Sequence, residues 1–348
     1  MSANSTSAPP LYPEPTARRR GVAVVTGGSA GLGRAVVREL TALGYDVAVL
    51  ARESEGLHGA VREVDLAGQR GLAMAVDVAD AAAVDLAAER VERELGPIDV
   101  WVNNAMTSVF APFLEVEPQE FERATQVTYL GFVNGTRAAL KRMVPRDAGH
   151  IVQVGSSLAY RGIPLQSAYC GAKHAMVGFT ESVQAELDAD GSGVQVSMVH
   201  MPALNTPQFG WVRSRLPKHP QPVPPIFQPE VGARAVAFVV QHPRRRTAVT
   251  WRTSAIILGN VVAPRLLDWF VAKTAVDGQQ TDEDLPVYGD NLDKPVTEDI
   301  GAHGSFDHRA KSSSPETWLN LRVGRVVGTA AGLAGGAVRQ LAGAVRAR

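Results

Sequence analysis

The sequence predicts an α/β fold, in which a doubly wound, mostly parallel sheet carries helices on both faces and is followed by a C-terminal extension. Two observations predict this fold. From Val22 onward, short runs of β-branched residues alternate with longer segments of helical periodicity, which is the pattern of successive βαβ units. The first run, 22–25, is apolar throughout, as a strand buried on both faces should be, and it leads directly into a glycine-rich turn.

The other elements follow from the same patterns. Further strands are predicted at 47–50, 72–76, 100–102, 151–154, 194–199 and 247–251. The segment 82–95 repeats apolar residues at i, i+3, i+4 and i+7, which predicts a helix, and Gly96 and Pro97 end it. Pro118 opens a longer helix, and another is predicted at 231–240.

The 348 residues are enough for one large doubly wound domain and an appendage. We expect a disordered N-terminal tail at 1–20, an α/β domain at 21–252 and a C-terminal extension, partly helical and partly irregular, at 253–348. Within the domain, 216–225 is crowded with prolines that suit neither a helix nor a sheet interior. The region around it, 203–230, is therefore predicted to be an ordered loop or lid.

The extension has two parts of different composition. Residues from Leu267 to about Pro315 are polar and rich in Asp and Gly, so they either drape over the domain or stay loose. The last part, 319–348, is rich in Ala, Gly and Val with interspersed arginines. It is interpreted either as a frayed tail or as a helix that lies on a membrane surface or on a partner.

Composition excludes several classes of function. The chain has 35 basic and 35 acidic side chains, so it lacks the basic excess typical of a nucleic-acid-binding protein. No stretch has the eighteen or so apolar residues that a transmembrane span requires, and 1–20 lack the apolar core of a secretory signal. Cys170 is the only cysteine, which precludes an intrachain disulfide and suits a reducing compartment, so we expect a cytoplasmic protein.

The first chemical motif is the glycine-rich turn, Thr26-Gly27-Gly28-Ser29-Ala30-Gly31-Leu32-Gly33, between a buried strand and a helix. Glycines let the backbone turn sharply and approach a pyrophosphate, and the N–H groups at the start of the helix favour its negative charge. The turn therefore predicts a dinucleotide site of Rossmann type. A tight βα turn also needs glycine for structural reasons alone.

The second motif, Leu50-Ala51-Arg52-Glu53, ends the second strand, where an enzyme that prefers NAD usually presents an acid to the adenosine ribose. Ala51 stands where that acid is expected. Arg52 follows it with a permanent planar cation that suits a 2′-phosphate, so NADP(H) is predicted over NAD(H). The alternative is that Arg52 is a solvated residue at the start of the next helix.

The third motif is Tyr169-Cys170-Gly171-Ala172-Lys173, within a segment of helical periodicity. Tyr169 and Lys173 share one face, and the ammonium group is expected to lower the pKa of the phenol, which can then transfer a proton. Ser156 directly follows the strand predicted at 151–154, where its hydroxyl can hydrogen-bond a reacting oxygen. His174 and His200 have no second ligand at metal spacing, so no metal is predicted.

These motifs, in this order, resemble the short-chain dehydrogenase/reductase family over about 21–251. The resemblance implies that Ser156 orients the substrate oxygen, that Tyr169 transfers the proton, and that Lys173 lowers the tyrosine pKa and holds the nicotinamide ribose. It further implies cofactor contacts from positions spread along the chain. These are Gly27, Ser29, Gly31, Leu32, Gly33, Arg52, Asp77, Val78, Asn103, Ala105, Tyr169, Lys173 and Thr206.

Three positions depart from the family pattern. Met106 replaces the glycine after Asn103-Asn104-Ala105, and Ala203 replaces the glycine after Pro202. Thr128 replaces the asparagine that helps to hold a proton-relay water near the lysine. Its hydroxyl can still bind a water, but with shorter reach and one fewer donor.

The resulting hypothesis is an oxidoreductase that transfers a hydride between NADP(H) and a small carbonyl or alcohol substrate, with Tyr169 as general acid and base. Phe209 and Trp211 in the predicted lid favour an apolar substrate, although both can equally pin the loop to the core. The alternatives are a catalytically weak NADP(H)-binding scaffold or sensor, and a peripheral-membrane enzyme acting on a lipid-like carbonyl through 319–348. We also expect a homodimer or homotetramer.

Overall fold

The computed structural model describes residues 20–284, 290–315 and 317. Its strands are β1 (Gly21–Thr26), β2 (Tyr45–Ala51), β3 (Gly71–Ala75), β4 (Ile98–Asn103), β5 (Val109–Phe110), β6 (His150–Ser156), β7 (Gln195–Met201), β8 (Arg213–Ser214), β9 (Lys218–Pro220), β10 (Arg246–Ala248) and β11 (Gln280–Asp284). Its α-helices are α1 (Gly31–Ala42), α2 (Glu55–Leu66), α3 (Ala81–Glu94), α4 (Pro118–Thr125), α5 (Gly131–Met143), α6 (Ser167–Ala189), α7 (Pro229–Gln241), α8 (Trp251–Val262) and α9 (Pro264–Gly278).

Seven strands form one parallel sheet in the order β10-β7-β6-β4-β1-β2-β3. The chain runs outward from β1 through β2 to β3 and then returns to the other side of β1 with β4. Strand order reverses between β1 and β4, because the chain continues from β1 to one side of the sheet and from β4 to the other. The connections that leave the carboxyl ends of these two strands therefore run in opposite directions. The crevice between them is the usual ligand site of such sheets. The predicted doubly wound α/β fold is confirmed.

The core has two layers because the strands are buried on both faces. On one side of the sheet, Val25, Val49 and Val199 pack with residues of α1, α2 and α7. On the other side, Val24 and Trp101 pack with residues of α3 and α5. This explains why β1 is apolar at successive positions, since each face needs its own hydrophobic side chains.

The region after β10 corrects the sequence predictions. The strand predicted at 247–251 ends at Ala248, and Trp251 begins α8, whose N-cap is the Thr250 side chain accepting a hydrogen bond from the Thr253 N–H. Residues beyond Leu267 are predicted either to drape over the domain or to stay loose, but as far as Gly278 they continue α9, which begins with proline in its first turn. Both helices are largely exposed, so neither has the one-sided apolar pattern on which a prediction depends.

Two further predictions are refined by the structure. The proline-rich segment is a loop as predicted, but Lys218–Pro220 within it forms β9 and pairs antiparallel with β11. Residues 290–311 drape over the domain, which was one of the two alternatives for this part of the extension, and they do not stay loose. We call residues 290–311 the C-terminal strap. The segment 319–348, interpreted as a frayed tail or a surface helix, lies outside the described residues, as do residues 1–19 of the tail predicted at 1–20.

The strap is fastened to the domain by backbone hydrogen bonds along its length. The Glu55 N–H donates to the Thr297 carbonyl oxygen (2.9 Å), and the Gly31 N–H donates to that of Gly301 (3.0 Å). At its end, the Lys311 N–H donates to the Ile226 carbonyl oxygen (2.9 Å). These bonds join the strap to the first turns of α1 and α2 and to the loop that precedes α7.

The buried side chain of Arg34 in α1 forms ion pairs with Glu63 of α2 and with Asp299 of the strap, and so links the strap to the fold. Its side chain is 3% exposed, and it donates to both carboxylate oxygens of Glu63 (2.9 and 3.0 Å) and to Asp299 of the strap (3.3 Å). It also donates to the carbonyl oxygens of Ser29 and Gly56. Burial opposes ionisation of Glu63, but hydrogen bonds from arginines lower the pKa of that carboxyl to about 2.

Replacing Arg34 with Met is therefore expected to lower the free energy of unfolding by about 3 kcal/mol, because two carboxylates and two carbonyl groups lose a buried cation. Urea unfolding at neutral pH measures the change. The matched control is Arg38→Met, since Arg38 also pairs with Glu63 but is one-third exposed, and its loss should cost less than about 1 kcal/mol. Equal effects of the two substitutions would contradict the assignment.

Candidate active site

A cavity of about 990 Å³ opens at the carboxyl ends of the central strands. Its walls come from the glycine-rich turn, the ends of β2 and β4, the start of α6, the loop after β7, α8, α9 and the strap. The volume lies at the upper end of the range for ligand pockets. It is large enough to hold a dinucleotide and part of a substrate.

The glycine-rich turn forms one wall because its backbone adopts conformations that other residues avoid. Gly27 and Gly31 have φ angles of 65° and 58°. A Cβ atom on Gly33 would lie 2.1 Å from the Gly27 carbonyl oxygen, so only glycine fits where α1 packs against the turn. Asn104 braces the turn from β4 by donating its amide to the carbonyl oxygens of Thr26 and Gly27 (3.1 and 3.2 Å).

This wall fits the phosphates of a dinucleotide. The backbone N–H groups of the turn and the positive end of the α1 dipole both attract an anion. No acidic side chain lies in the turn to oppose it. The strap already engages one of the donors, the Gly31 N–H, through the Gly301 carbonyl oxygen. An anion at the start of α1 would therefore have to use the other donors of the turn, or displace the strap from Gly31.

Arg52 lies beside this wall, with its guanidinium turned toward the strap. It donates to the carbonyl oxygens of Asn291 (2.5 Å) and Leu292 (3.4 Å). Arg123 donates to the same Leu292 oxygen (3.1 Å) and to the Asp77 carboxylate (2.5 Å). Burial and the neighbouring Arg123 lower the pKa of Arg52. The alternative that Arg52 is a solvated residue is wrong, since its guanidinium lines the cavity and is hydrogen-bonded by the strap.

Asp77, predicted to contact the adenine, is held by two groups of the protein. Besides Arg123, it accepts a hydrogen bond from the Ala79 N–H (3.0 Å). Burial opposes ionisation, but the Arg123 hydrogen bond and that N–H lower the pKa of Asp77 below its usual value. The carboxylate is thus charged and fixed in the cavity wall next to Val78.

Ser156, Tyr169 and Lys173 meet at the other end of the cavity. Ser156 is the last residue of β6, whereas Tyr169 and Lys173 lie one turn apart near the start of α6. The Ser156 side chain lies beside the Tyr169 hydroxyl and favours its ionised form. The Lys173 Nζ lies 5.7 Å from the centre of the Tyr169 ring and donates to the Val154 carbonyl oxygen (2.8 Å).

The electrostatics of this group differ from the sequence prediction. Burial raises the pKa of Tyr169 above its ordinary value, although the Ser156 side chain opposes the rise. Burial also lowers the pKa of Lys173 to about 7. The expected net lowering of the phenol pKa therefore does not occur in this arrangement, because burial outweighs it and the Lys173 Nζ is itself enclosed and donates to Val154.

Thr128 does not take the place predicted for it. Its hydroxyl donates to the Thr107 carbonyl oxygen (2.7 Å) and accepts from the Thr107 N–H (2.9 Å), and the residue is fully buried outside the cavity wall. The expected water-binding role of this side chain is thus replaced by a structural one, because both functions of the hydroxyl are used within the protein. The helix is π-helical at this point, over Gln126–Leu130.

Asn103 is also displaced from its predicted role. Its side chain is fully buried, accepts from the Trp101 indole N–H (2.8 Å) and donates to Gln153 and Thr136. The next residue, Asn104, lines the cavity instead. All other predicted site residues lie in the wall of this one cavity: Gly27, Ser29, Gly31, Leu32, Gly33, Arg52, Asp77, Val78, Ala105, Ser156, Tyr169, Lys173 and Thr206.

The sequence analysis missed the wall that α8, α9 and the strap contribute. These residues are Trp251, Ile256, Leu267, Phe270, Val271, Asn291, Leu292, Pro295, Val296 and Glu298. Phe209 and Trp211 of the predicted lid also line the cavity, and Phe209 packs with Phe110 and Phe306, as expected of a residue that pins the loop to the core. The aromatic residues Trp251 and Phe270 are the sequence signal that could have indicated this wall.

Within 20–284 and 290–315, no three His, Cys, Asp or Glu side chains come together as a metal site would require. Among the helices of that same part of the chain, none combines the length and apolar character needed to cross a bilayer.

Comparison with known proteins agrees with the site geometry. The family model described as short chain dehydrogenase matches residues 21–216. The uncharacterized oxidoreductase YxnA of Bacillus subtilis is 32% identical over 263 residues, which cover 75% of this chain and 74% of that protein. The 3-dehydrosphinganine reductase of Danio rerio is 34% identical over 206 residues, which cover 58% of this chain and 61% of that protein.

Solved structures lead to the same family. A metagenomic short-chain oxidoreductase in complex with NADP is 27% identical, with a TM-score of 0.57, over 67% of this chain and 98% of that one. A short-chain dehydrogenase from Streptomyces avermitilis is 26% identical, with a TM-score of 0.61, over 74% and 98% of the two chains. Sequence, fold and the glycine-bounded cavity agree, and this chain belongs to the short-chain dehydrogenase/reductase family of NAD(P)-dependent oxidoreductases.

Proposed function

We propose that the protein is an NADP(H)-dependent oxidoreductase that interconverts a carbonyl and an alcohol on an apolar substrate, with Tyr169 as general acid and base. The observation that carries this proposal is the convergence of Ser156, Tyr169 and Lys173 at one end of a cavity whose other end is a glycine-rich turn. A nicotinamide nucleotide, when bound there, supplies or accepts the hydride.

The three residues have distinct roles in this proposal. In the direction of reduction, the Tyr169 hydroxyl gives its proton to the carbonyl oxygen as that oxygen gains negative charge, and Ser156 donates a hydrogen bond to the same oxygen. The raised pKa of Tyr169 suits this direction, because the phenol is protonated at neutral pH. Lys173, when protonated, stabilises the phenolate that remains.

The reverse direction depends more strongly on Lys173. Oxidation of an alcohol requires Tyr169 to accept a proton, and therefore requires a phenolate in a buried position. A charged Lys173 near the ring favours that phenolate, although its own pKa of about 7 means that the charge is only partly present at neutral pH. Changes around Val154 and Lys173 on cofactor binding would then control the oxidative activity.

Arg52 supports NADP(H) over NAD(H). It carries a cation in the cavity wall after β2, and its hydrogen-bond partners are backbone carbonyl groups, whereas the carboxylates of Asp77 and Asp293 act on it only through space. Two structural neighbours are complexes with NADP and with 5-hydroxy-NADP. A 2′-phosphate would compete with Asn291 and Leu292 for the guanidinium.

Replacing Arg52 with Ala is expected to raise the KM for NADPH about 10- to 100-fold, the effect of losing a charge-assisted bidentate contact, and to leave the KM for NADH nearly unchanged. Steady-state kinetics with both cofactors measure the ratio. Arg62→Ala is the matched control, since Arg62 lies on the exposed face of α2 away from the cavity. Equal losses with NADPH and NADH would contradict a role in 2′-phosphate recognition.

The substrate class is tested by a panel of aldehydes and ketones of increasing chain length, with NADPH and NADH side by side. The walls formed by Phe209, Trp211, Ile256 and Phe270 favour a substrate with a long apolar part. One relative of this chain carries the name of a reductase of a long-chain compound, 3-dehydrosphinganine. NADPH binding without oxidation across the whole panel would instead favour a nucleotide-binding scaffold.

A further inference from the structure

Helices α8 and α9 form a hairpin on the surface of the molecule with an unusual exposure of apolar side chains. Leu258, Val261 and Val262 at the end of α8, and Leu266, Trp269 and Phe270 in α9, are each more than half exposed. We call these six residues the hairpin surface. Single exposed apolar residues are ordinary in soluble proteins, but a contiguous group of this kind marks an interaction site.

The packing of the hairpin explains why this surface is open. Within α8 only Thr253 is buried, and within α9 only Ala275 is buried. A helix with this apolar content is normally buried over at least one face. No part of the described chain covers the hairpin surface, so it is suited to contact something outside the domain.

The hairpin surface is continuous with the wall of the cavity. Phe270 belongs to both, since it is more than half exposed and also lines the cavity, as does the neighbouring Trp251. Between them, Ile256, Leu267 and Val271 line the interior. The cavity therefore reaches the molecular surface at Phe270, whereas Leu258 and Val261 line a separate, smaller groove beside Tyr160.

The charges around the hairpin surface are mainly positive. The Arg252 guanidinium lies 5.6 Å from the ring centre of Trp251, and the Lys273 Nζ lies 4.7 Å from that of Trp269. Arg265 is exposed at the start of α9. The nearby acid Asp268 is ion-paired with Arg161, which reduces its repulsion of an anionic partner. Tryptophan beside a cation is typical of side chains at the boundary between lipid and water.

From these observations we propose that the hairpin surface docks the protein on an anionic phospholipid bilayer, with the cavity facing the membrane. The helices of 12 and 15 residues are about 18 and 22 Å long, so they lie in the plane of the interface and do not cross it. A second copy of the chain on this surface would cover the opening of the cavity, whereas a bilayer would deliver an apolar substrate to it. The delivery of substrate rests on the proposed function, but the docking does not.

Flotation of the full chain with vesicles tests the proposal. Vesicles of phosphatidylcholine with an equal amount of phosphatidylglycerol are compared with phosphatidylcholine alone. The wild-type protein is expected to float with the anionic vesicles. The double variant Val262→Glu, Leu266→Glu is expected to lose at least about tenfold in partitioning, because two apolar side chains leave the acyl boundary and two negative charges are added.

The matched control is the double variant Leu66→Glu, Leu114→Glu, which adds the same charges at two exposed leucines outside the hairpin and is expected to float like the wild type. Circular dichroism and thermal unfolding establish that both variants are folded.

Flotation of the hairpin variant at the wild-type level would overturn the proposal and assign binding to another part of the chain, including 319–348. A change in sedimentation coefficient of that variant, with no flotation of the wild type, would overturn it in favour of an interface between copies. Because flotation requires no turnover, these outcomes are independent of the proposed reaction.

Discussion

Replacing Tyr169 with Phe is expected to lower kcat by about 10²- to 10⁴-fold, the usual contribution of a positioned general acid. Phenylalanine keeps the ring that packs near the Lys173 Nζ, and it removes only the hydroxyl beside Ser156. Since the glycine-rich turn and Arg52 are unaffected, the dissociation constant for NADPH should change by less than about threefold. Single-turnover kinetics and fluorescence titration with NADPH separate the two effects.

Tyr160→Phe is the matched control for this substitution. Tyr160 lies close to β6, and its hydroxyl is 3.1 Å from the His200 Nε2, but its side chain does not line the cavity. The same loss of a phenolic hydroxyl there should leave kcat nearly unchanged. Turnover of the Tyr169 variant at the wild-type rate would contradict the proposed mechanism. Loss of NADPH binding in that variant would instead indicate a structural role for the hydroxyl.

The parts of the fold that could be predicted are those with a local sequence signature. Strand β1 is apolar on both faces, the turn after it is rich in glycine, and Tyr169 and Lys173 are spaced by one helical turn. Each of these features is contained within a few consecutive residues, so it can be recognised without knowledge of the rest of the chain. The doubly wound topology then brings the carboxyl ends of the parallel strands together, so that distant motifs meet in one cavity without any further information.

Asn103 was mispredicted because strand residues alternate between faces. The side chain of Asn103 points into the core toward Gln153, and that of Asn104 reaches the glycine-rich turn. A displacement of one residue in the motif therefore changes the face and the role. Only the position of the last strand residue decides between them, and element ends are the least certain part of a sequence prediction.

The contacts that the strap makes with Arg52 and with the glycine-rich turn could not be predicted, because its backbone makes them. Carbonyl oxygens of Asn291 and Leu292 hold Arg52, and that of Gly301 holds the Gly31 N–H. Every residue has a carbonyl group, so these contacts leave no signature in the side chains. The polar composition of this region indicated only that it cannot fold alone, which agrees with a segment that depends on the domain for its order.

The directions of the pKa shifts of Tyr169 and Lys173 depend on how deeply the two side chains are buried, as well as on their spacing in the sequence. The four-residue interval between Tyr169 and Lys173 gives their separation, but the direction of each pKa shift depends on what surrounds them. Lys173 is 2% exposed, and its Nζ lies 4.5 Å from the centre of the Phe132 ring. The sequence offers no sign that Phe132, from another helix, encloses the lysine.

Replacing Lys173 with Met is expected to lower kcat about 100-fold and, at the same time, to raise the free energy of unfolding near neutral pH by about 1–3 kcal/mol. Burial lowers the pKa of this lysine from 10.5 to about 7, so a proton on it is less stable in the folded chain than in the unfolded one. Methionine fills a similar volume without a charge. A gain in stability accompanied by a loss of activity would identify Lys173 as a group kept for catalysis at a structural cost.

The dependence on pH distinguishes this explanation from a simple improvement in packing. Between about pH 7 and 10.5, the unfolded wild type binds a proton on Lys173 that the folded protein does not, so the free energy of unfolding of the wild type rises with pH, by up to about 1.4 kcal/mol per pH unit. The variant lacks this group, and its stability advantage should shrink as the pH is raised from about 7 to 9 in urea unfolding experiments. Lys173→Arg, which keeps a charge at every pH, should be less stable than the wild type throughout. An advantage of the Met variant that does not change with pH would mean that the charge of Lys173 is not the source of the instability, and its proposed titration near neutral pH would be wrong.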